Sequence, residues 1–360
     1  MAKLTDSNVF KWLDERVDLS PLTKLLYHKK VPVHSHTIWY YMGGVTLFLF
    51  IVQVFTGILL LMYYVPGENS AYESVQFILN KVSFGWLIRN IHSWSANLMI
   101  LFAFIHMFSA FFTKALRKPR ELTWVSGFIL LLLGMFFGFS GYLLPWNELA
   151  FFATKVGTDI AGAVPFIGDW LKILLRGGDD VTGATLSRFF GFHVAILPAA
   201  FTIFLTLHLL LVQRQGMSEP DSFTKLPDEK KKYISFFPDF ALRDFLLWLI
   251  VLIALLALTV FSPWDLGIKA DSLASAPEGI KPEWYFMFMF QTLKYLPPHI
   301  WFIEGEVFGL LAFGAAGVIW MVLPFIKIKK KLLIESKYYF YIGVFAIAFI
   351  IIMTLIGYLS

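Results

Sequence analysis

The stretch IHSWSANLMILFAFIH, residues 91–106, decides the fold and raises the question of function. It belongs to an apolar segment long enough to cross a membrane, yet it carries histidines at positions 92 and 106. Ionisable side chains inside a membrane span are rare and mark functional sites. Because fourteen residues rise about 21 Å along an α-helix, the two imidazoles are expected near opposite surfaces of the bilayer.

The composition of the whole chain is that of a membrane protein. Of its 360 residues 58% are hydrophobic and 15% charged, and the mean hydropathy is +0.68. A hydrocarbon core needs about 20 mostly apolar residues per helix, and no segment shows the period-two pattern of a lipid-facing barrel. The sequence therefore predicts an all-α, polytopic transmembrane helical bundle. Seven spans are expected, at about Ile38–Tyr64, Ile91–Thr113, Thr123–Leu144, Phe189–Val212, Phe245–Phe261, Val307–Ile326 and Tyr338–Gly357.

The distribution of basic residues predicts the orientation. Of the 30 lysines and arginines, 21 fall in the N-terminal segment and the three loops on its side, and nine in the other three loops. Basic residues are retained on the cytoplasmic side. We therefore expect a multi-pass protein of the cell inner membrane, with a cytoplasmic N-terminus and an external C-terminus. The net charge of +5 then reflects topology, and no nucleic-acid partner is expected.

The N-terminal segment has a different pattern. Val9, Phe10, Leu13 and Val17 alternate with charged residues. This pattern predicts an amphipathic helix at the membrane interface.

Four histidines form the candidate site. Two lie in the second span, His92 and His106, and two in the fourth, His193 and His208. Both helices run from the external to the cytoplasmic side, so His92 is expected to face His193 at an outer level and His106 to face His208 at an inner level. The second spacing is one residue longer, and a kink at Pro198 could absorb the difference.

Two stacked imidazole pairs favour two six-coordinate haems over the alternatives. Porphyrin iron takes one axial imidazole on each face, whereas zinc needs three or four protein ligands. A proton relay would need acids at intermediate depth, and no Asp or Glu lies between the paired histidines. Cysteine is absent, so the haems would be non-covalent. A histidine-lined transporter stays open as an alternative and would be colourless.

Glycines repeat with the same period in the first and third spans. Gly43 and Gly127 are expected at the inner level, and Gly57 and Gly141, fourteen residues further on, at the outer level. A flat macrocycle between helices needs backbone without side chains at its own height. Close packing of the helices through small residues is the alternative explanation. The shared period favours the haem sites.

Several motifs carry a resemblance to a known family: GWLIRNIHSWSANLMIL, KPRELTWVSG, GYLLPWNE, LSRFFGFH and, above all, PEWYF at 282–286. Together they resemble cytochrome b of the quinol–cytochrome c oxidoreductases, the cytochrome bc complexes. The fifteen-residue histidine step is similar to the chloroplast-type cytochrome b6. The last three spans are similar to the separate fourth subunit of that complex. The polar, charged stretch Gln213–Asp244 between the fourth and fifth spans places a boundary near Ser222. We therefore expect a dihaem part, residues 1–222, and a C-terminal quinol-site part, residues 223–360.

The resemblance implies a function and partners. Quinol would be oxidised at the outer face, and electrons would pass through two b haems to a quinone-reducing site at the inner face, with proton translocation. A Rieske iron–sulfur protein, a c-type cytochrome and a homodimeric complex are expected. The chloroplast-type cytochrome tethers an extra haem through a cysteine, and Tyr41 stands there in YYMGG. The dihaem anchor of another quinone-linked dehydrogenase is the alternative, and it would lack PEWYF.

The resemblance also assigns roles to individual residues. Glu283 would accept the quinol proton, since burial can raise the pKa of a carboxyl group toward the working pH, and Tyr285 would position the quinol. An interfacial aromatic belt is the alternative for Trp284 and Tyr285. Further candidates for the quinol pocket are Pro282, Trp284, Tyr142, Pro145, Trp146, Phe152 and Ala153.

Two more groups of polar residues are assigned. Arg89 and Arg188 lie just before the outer histidines and suit haem propionates, although snorkelling to the surface would also explain them. Gln213, Arg214 and Asp244 are the candidates for the quinone-reducing site.

The orientation can be tested with reporter fusions. A reporter inserted in the loop Lys114–Trp124 should be cytoplasmic, and one fused after Ser360 should be external, because seven spans put the ends on opposite sides. Alkaline phosphatase and fluorescent-protein activities in whole cells would measure this. Labelling of both fusions on the same side would show that the spans are miscounted.

Overall fold

The computed structural model describes residues 7–328, 331–336 and 338–360. Within these residues seven helices are long and apolar enough to cross a membrane, which confirms the predicted fold class and the number of spans. They are Thr37–Leu61, Gly85–Phe112, Glu121–Leu143, Gly183–Gln215, Phe236–Phe261, Gly305–Phe325 and Tyr338–Leu359.

Three of these helices begin well before the predicted spans. The second starts at Gly85, the fourth at Gly183 and the fifth at Phe236. A hydropathy window stops at charged residues such as Arg89, whereas the backbone hydrogen bonds of the helix continue past them. The arginines before the outer histidines are therefore held on rigid helix.

The regular helices are labelled in chain order. They are α1 Asn8–Val17, α2 Ser20–His28, α3 Tyr41–Leu61, α4 Ala71–Asn80, α5 Gly85–Phe112, α6 Glu121–Leu143, α7 Glu148–Gly162, α8 Gly168–Arg176, α9 Gly183–Gly191, α10 Leu197–Gln215, α11 Asp221–Thr224, α12 Ala241–Phe261, α13 Trp284–Tyr295, α14 Gly305–Val322 and α15 Tyr338–Leu359. The strands form three antiparallel pairs: β1 Lys30–Pro32 with β2 Tyr233–Ser235, β3 His299–Ile300 with β4 Ile303–Glu304, and β5 Lys327–Ile328 with β6 Lys331–Leu332.

The amphipathic segment at the N-terminus is helix α1, as predicted. The Ser7 side chain caps it by accepting a hydrogen bond from the Phe10 amide. Val9 and Val17 are exposed. The placement of this apolar face at a membrane surface stays a prediction.

The first four spans pack in the order that the glycine and histidine repeat suggests. Each glycine helix lies against the histidine helix that follows it, α3 against α5 and α6 against α10, and α5 and α6 join the two pairs. The repeated unit is therefore a packed helix pair.

The last three spans are built onto this four-helix core. Helix α12 packs on α3 and α5 through Val251 and Leu255, which meet Val45 and Leu49 in one buried cluster. Strands β1 and β2 pair across the predicted division at residue 222. The two halves are thus joined by backbone hydrogen bonds as well as by side-chain packing.

An aromatic cluster fastens α15 to the inner end of α5. The Phe111 ring stacks on Tyr339 at 4.0 Å and on Trp320 at 4.7 Å. The Tyr339 hydroxyl donates to the Phe111 carbonyl at 2.8 Å. These contacts determine where the last helix runs relative to the histidine helix.

The extra residue between His193 and His208 is absorbed by a π-helical turn. This turn covers Phe192–Ile196, where the Leu197 amide bonds to the Phe192 carbonyl five residues back. Pro198 has no amide hydrogen and its ring crowds the carbonyl four residues earlier, so the helix widens just before it. The prediction of a kink at Pro198 gave the right cause, but the irregular turn contains His193 itself.

Candidate functional site

The four histidines form two facing pairs. The ring centres of His92 and His193 are 6.4 Å apart with an angle of 73° between the rings. The ring centres of His106 and His208 are 6.5 Å apart with an angle of 83°. The pairing is the one expected from the helix directions.

The separation within each pair fits an iron between the rings. Two metal–imidazole bonds of about 2.0 Å, with about 1.1 Å from each ring nitrogen to its ring centre, span about 6.2 Å. Within the described part of the chain, no three His, Cys, Asp or Glu side chains gather as a metal site. Two isolated imidazoles per site are what a porphyrin iron needs, since the macrocycle supplies its other four ligands.

Hydroxyl groups orient three of the four imidazoles. Nδ1 of His92 lies 2.8 Å from Thr56 Oγ1, that of His193 lies 3.1 Å from Ser140 Oγ, and that of His208 lies 3.0 Å from Ser126 Oγ. Each hydroxyl also donates to a helix carbonyl, so it can accept from the imidazole N–H. This sets the tautomer and leaves Nε2 of each ring for iron.

His106 differs from the other three. Its Nδ1 is buried and makes no hydrogen bond with any residue that the structure describes. The inner pair therefore has one hydroxyl partner where the outer pair has two.

Each of the four periodic glycines lies against one imidazole. A methyl group at Gly141 would be 2.6 Å from His193 Cε1, and one at Gly43 would be 2.9 Å from His106 Cε1. The corresponding distances are 3.0 Å from Gly127 to His208 Cε1 and 3.3 Å from Gly57 to His92 Cε1. Gly43 and Gly127 lie against the inner pair and Gly57 and Gly141 against the outer pair, as expected. A side chain at any of these positions would crowd a histidine ring, which is a direct reason for glycine.

The two arginines near the outer pair have different surroundings. The Arg89 guanidinium donates to the carbonyls of Trp264 and Asp265, in the segment after α12. Arg188 lies against Gly177, which has a φ of 80°. Both cations are near the outer pair in sequence, and Arg89 also ties the C-terminal half to α5.

The inner pair opens into a cavity of about 340 Å³. Asp244 lines it, and the buried Oδ1 of this carboxyl group has no hydrogen-bond partner among the described residues. Gln213 instead accepts from Lys29 Nζ at 2.7 Å, and Arg214 is exposed. Of the three residues predicted for the inner site, the structure places Asp244 on this cavity.

Arg120 is a cavity residue that the sequence analysis missed. Its Nη2 donates to the carbonyls of Gln215 and Met217, and its buried Nε has no partner among the described residues. A cation with a spare donor suits an anionic group in the cavity. The sequence signal that could have identified Arg120 was the motif KPRELTW, which contains it.

The PEWYF stretch, residues 282–286, leads into helix α13, which begins at Trp284. Trp284 Nε1 donates to Asn97 Oδ1 of α5 at 2.9 Å. The Tyr285 side chain is buried, and its hydroxyl lies against Gly138 of α6. The motif therefore sits between α5 and α6.

Glu283 precedes the first turn of α13 and lies outside the seven candidate spans. Burial raises the pKa of Glu283 to about 7. Tyr142, Tyr285 and Tyr358 lie within electrostatic range of the Glu283 carboxyl group. Tyr358 was not predicted, because it comes from the distant end of α15. Lys281 Nζ, which donates to the Tyr358 carbonyl at 3.1 Å, helps to hold it there.

Trp146 and Phe152 belong to one hydrophobic cluster and are buried. The Trp146 carbonyl accepts from the Ala270 amide at 3.0 Å, and Asn147 Nδ2 donates to the Leu266 carbonyl at 2.8 Å. This part of the GYLLPWNE motif anchors the segment that leads to PEWYF. Pro145 and Ala153 are half-buried beside it.

Fold and site together define a helical membrane protein with two pairs of opposed imidazoles inside its bundle. The family Cytochrome b/b6/petB matches residues 27–216, and Cytochrome b(C-terminal)/b6/petD matches residues 269–360. The chain therefore belongs to the cytochrome b/b6 family.

Individual relatives agree with this assignment. A cytochrome bc complex cytochrome b subunit of Chlorobaculum thiosulfatiphilum is 49% identical over 95% of this chain and 79% of its own. A cytochrome b6 of Rippkaea orientalis is 42% identical over 61% of this chain and 98% of its own. Among solved structures, a chain of a hyperthermophilic respiratory Complex III is similar with a TM-score of 0.84 and 27% identity, over 96% of this chain and 90% of that chain.

Single histidine substitutions test the two pairs. We expect His92→Ala or His193→Ala to remove one b haem, and His106→Ala or His208→Ala to remove the other, because each iron loses an axial ligand. A pyridine haemochrome count and reduced-minus-oxidised spectra would measure this. Two haems per chain in every variant would refute the pairing.

Two glycines give a test of the crowding. Gly141→Ala should weaken or abolish haem binding at the outer pair, because the new methyl group meets His193. Gly317→Ala, in α14, should leave both haems in place, since its new methyl group would meet only Phe128 Cζ of α6 at 4.0 Å. Haem content and spectra of the two variants measure the difference. Equal haem loss in both variants would point to helix packing as the reason for Gly141.

Proposed function

We propose that the chain is the haem-b subunit of a quinol-oxidising cytochrome bc complex and holds two non-covalent b haems. The observation that carries the proposal is the pair of facing imidazoles at 6.4 and 6.5 Å, one pair at each level of the bundle. Bound haem supplies one-electron transfer. The protein supplies axial nitrogens from His92 with His193 and from His106 with His208, and the arrangement of the two pairs lets electrons cross the membrane.

The outer site oxidises quinol next to PEWYF. Glu283 accepts a proton from the quinol hydroxyl, a role that needs a carboxylate with a pKa near the working pH. Tyr285 and Tyr142 orient the quinol ring from opposite sides. Pro282 and Trp284 shape the pocket, Trp284 through its bond to Asn97.

The inner site reduces quinone in the cavity beside His106 and His208. Asp244 offers a buried carboxyl group there as a proton donor or acceptor. Gln213 and Arg214 are secondary candidates at its edge, since Gln213 is already paired with Lys29.

Arginines are proposed to bind the carboxylates of the haems. Arg89 and Arg188 would take the propionates at the outer level, and Arg120, with its spare Nε, would take an anionic group at the inner level. Arg89 would have to exchange the carbonyls that it now contacts for a stronger, charged acceptor.

Further parts of the proposal concern the assembly. A Rieske iron–sulfur protein would take one electron at the outer face and pass it to a c-type cytochrome, and the complex would be a homodimer.

The excess of basic residues supports an N-terminus on the cytoplasmic side of the cell inner membrane. The division into residues 1–222 and 223–360 follows the two family matches. The PEWYF pocket favours this reading over a dihaem anchor of another dehydrogenase.

Glu283→Gln tests the outer site. Glutamine keeps the size of the side chain but cannot take a proton, so we expect quinol oxidation to slow by about 10²–10⁴-fold with both haem spectra unchanged. The wild-type rate should rise with pH through about 7, because the carboxylate form becomes available above its pKa. That rise should flatten in the variant. Haem reduction by quinol, with the inner site inhibited, measures the rate.

Glu278→Gln is the matched control for this experiment. Glu278 is exposed and lies five residues before Glu283 in the same external segment. Its variant should keep both the rate and its pH dependence. A Glu283→Gln rate within twofold of wild type at every pH would leave Glu283 as a wall residue.

A further inference from the structure

An aromatic hairpin stands at the start of the sixth span. Ile300 of β3 pairs with Ile303 of β4, so the residues between them, Trp301 and Phe302, form a tight two-residue turn. The Trp301 side chain is 92% exposed and that of Phe302 is 86% exposed. Each such side chain has about 150–250 Å² of surface to bury. An exposed apolar patch of this size marks a site of contact with a membrane or with another protein.

The hairpin is held firmly on helices α13 and α14. The amide of Gly305, the first residue of α14, donates to the Pro298 carbonyl at 2.9 Å. A methyl group at Gly305 would collide with the Pro297 carbonyl, so the two segments approach closely where no side chain intervenes. One turn further along α14, a methyl group at Gly309 would collide with Leu293 of α13. The end of α13, the hairpin and the start of α14 therefore form one packed unit.

The first residue of the turn has a backbone conformation that favours glycine. Trp301 has a φ of 58°, whereas two-residue turns usually carry glycine, asparagine or aspartate where φ is positive. A bulky residue in this region is costly, and it persists where function needs the side chain. Because the Trp301 ring is almost fully exposed, packing within the described chain does not explain the choice of tryptophan.

The place of the hairpin in the chain puts its tip at the level of a membrane interface. The sixth span begins at Gly305, and Phe302 lies three residues before it, at most about 10 Å along an extended strand. The interfacial region between hydrocarbon and water is about 5–8 Å thick on each side of a bilayer. Trp301 and Phe302 therefore lie in or next to this region, where tryptophan is enriched.

The other two spans of the C-terminal half show the same feature at this level. Phe261 is the last residue of the fifth span and Leu359 that of the seventh, and both side chains are largely exposed. Because successive spans alternate in direction, these two ends lie on the same side as the start of the sixth span. Apolar side chains at one level on three helices fit a lipid interface better than a single partner protein, which would cover one continuous patch.

We propose that the β3–β4 hairpin is a membrane anchor, whose tip inserts Trp301 and Phe302 into the lipid interface on the outer-pair side. The indole N–H stays among the lipid head groups while the ring surface faces the acyl chains, the usual arrangement of interfacial tryptophan. His299 and Glu304 pair across the strands, are exposed and remain in contact with water. The anchor fixes the junction between α13 and α14 at the membrane surface.

Spin labelling tests the anchor directly, because the chain contains no cysteine. Phe302→Cys leaves Trp301 in place and takes a nitroxide label in the purified complex, held in phosphatidylcholine nanodiscs. Power saturation then compares collisions of the label with oxygen, which concentrates in lipid, and with nickel ethylenediaminediacetate, which stays in water. The unsubstituted complex, labelled in the same way, gives the background from cysteines of other subunits. Unchanged haem spectra show that the variant is folded, and Trp301→Cys replaces it as the probe if they change.

Leu273→Cys is the matched control. Leu273 is also apolar and 93% exposed, but it lies outside the hairpin, in the segment between α12 and α13. The ratio of oxygen to nickel collisions should be about threefold higher at the hairpin tip than at Leu273, since interfacial side chains reach about 5–10 Å into the boundary of head groups and acyl chains. A tip label that meets nickel as freely as the Leu273 label would place the tip in water. A tip label that meets neither reagent would mean that another protein covers it, and either result would overturn the proposal.

Discussion

The structure depends on one constraint, which is to hold two imidazoles opposite each other, with their ring centres about 6.4 Å apart, inside a hydrocarbon environment. An imidazole in lipid needs a partner for the nitrogen that does not bind metal, and this is why hydroxyls of α3 and α6 lie beside the rings. It also needs room, which Gly57 and Gly141 supply. The glycine helices therefore make space for all four rings, and their hydroxyls orient three of them, those of His92, His193 and His208.

The C-terminal half completes the molecule by closing the outer site. Helix α13 presents Glu283 at its start because its neighbours fit closely around it. Gly357 of α15 lies against Met287 and Gln291, where any side chain would collide with Met287. Tyr285 reaches α6 at Gly138, where a side chain would displace its hydroxyl. Glu283, the proposed proton acceptor, is thereby positioned near α5, the helix that carries His92, and a contact between the two halves becomes part of the proposed site.

The features that depend on residue spacing and composition could be predicted from the sequence. Seven apolar segments, paired histidines and glycines with the same spacing predicted the bundle and its facing imidazoles, because helix geometry converts spacing into depth. The sequence was not sufficient to predict features that depend on contacts between distant segments of the chain. Thr56 is one hydroxyl among several in these helices, and nothing local shows that it meets His92. Tyr358 comes near Glu283 only because α15 ends on the side of the bundle where α13 begins. Gln213 and Asp244 look alike as polar residues near a helix end, yet only Asp244 lines the inner cavity.

The two histidine pairs differ in the hydrogen bonds of their Nδ1 atoms, and this difference has a chemical consequence. Both outer imidazoles have a hydroxyl acceptor on Nδ1, whereas at the inner level His208 has one and His106 has none among the described residues. An acceptor on Nδ1 makes the imidazole a more basic ligand, and a more basic axial ligand stabilises the oxidised form of iron. An iron held by the outer pair would for this reason be harder to reduce than one held by the inner pair. This difference fits electron movement from the proposed quinol-oxidising side toward the proposed quinone-reducing side.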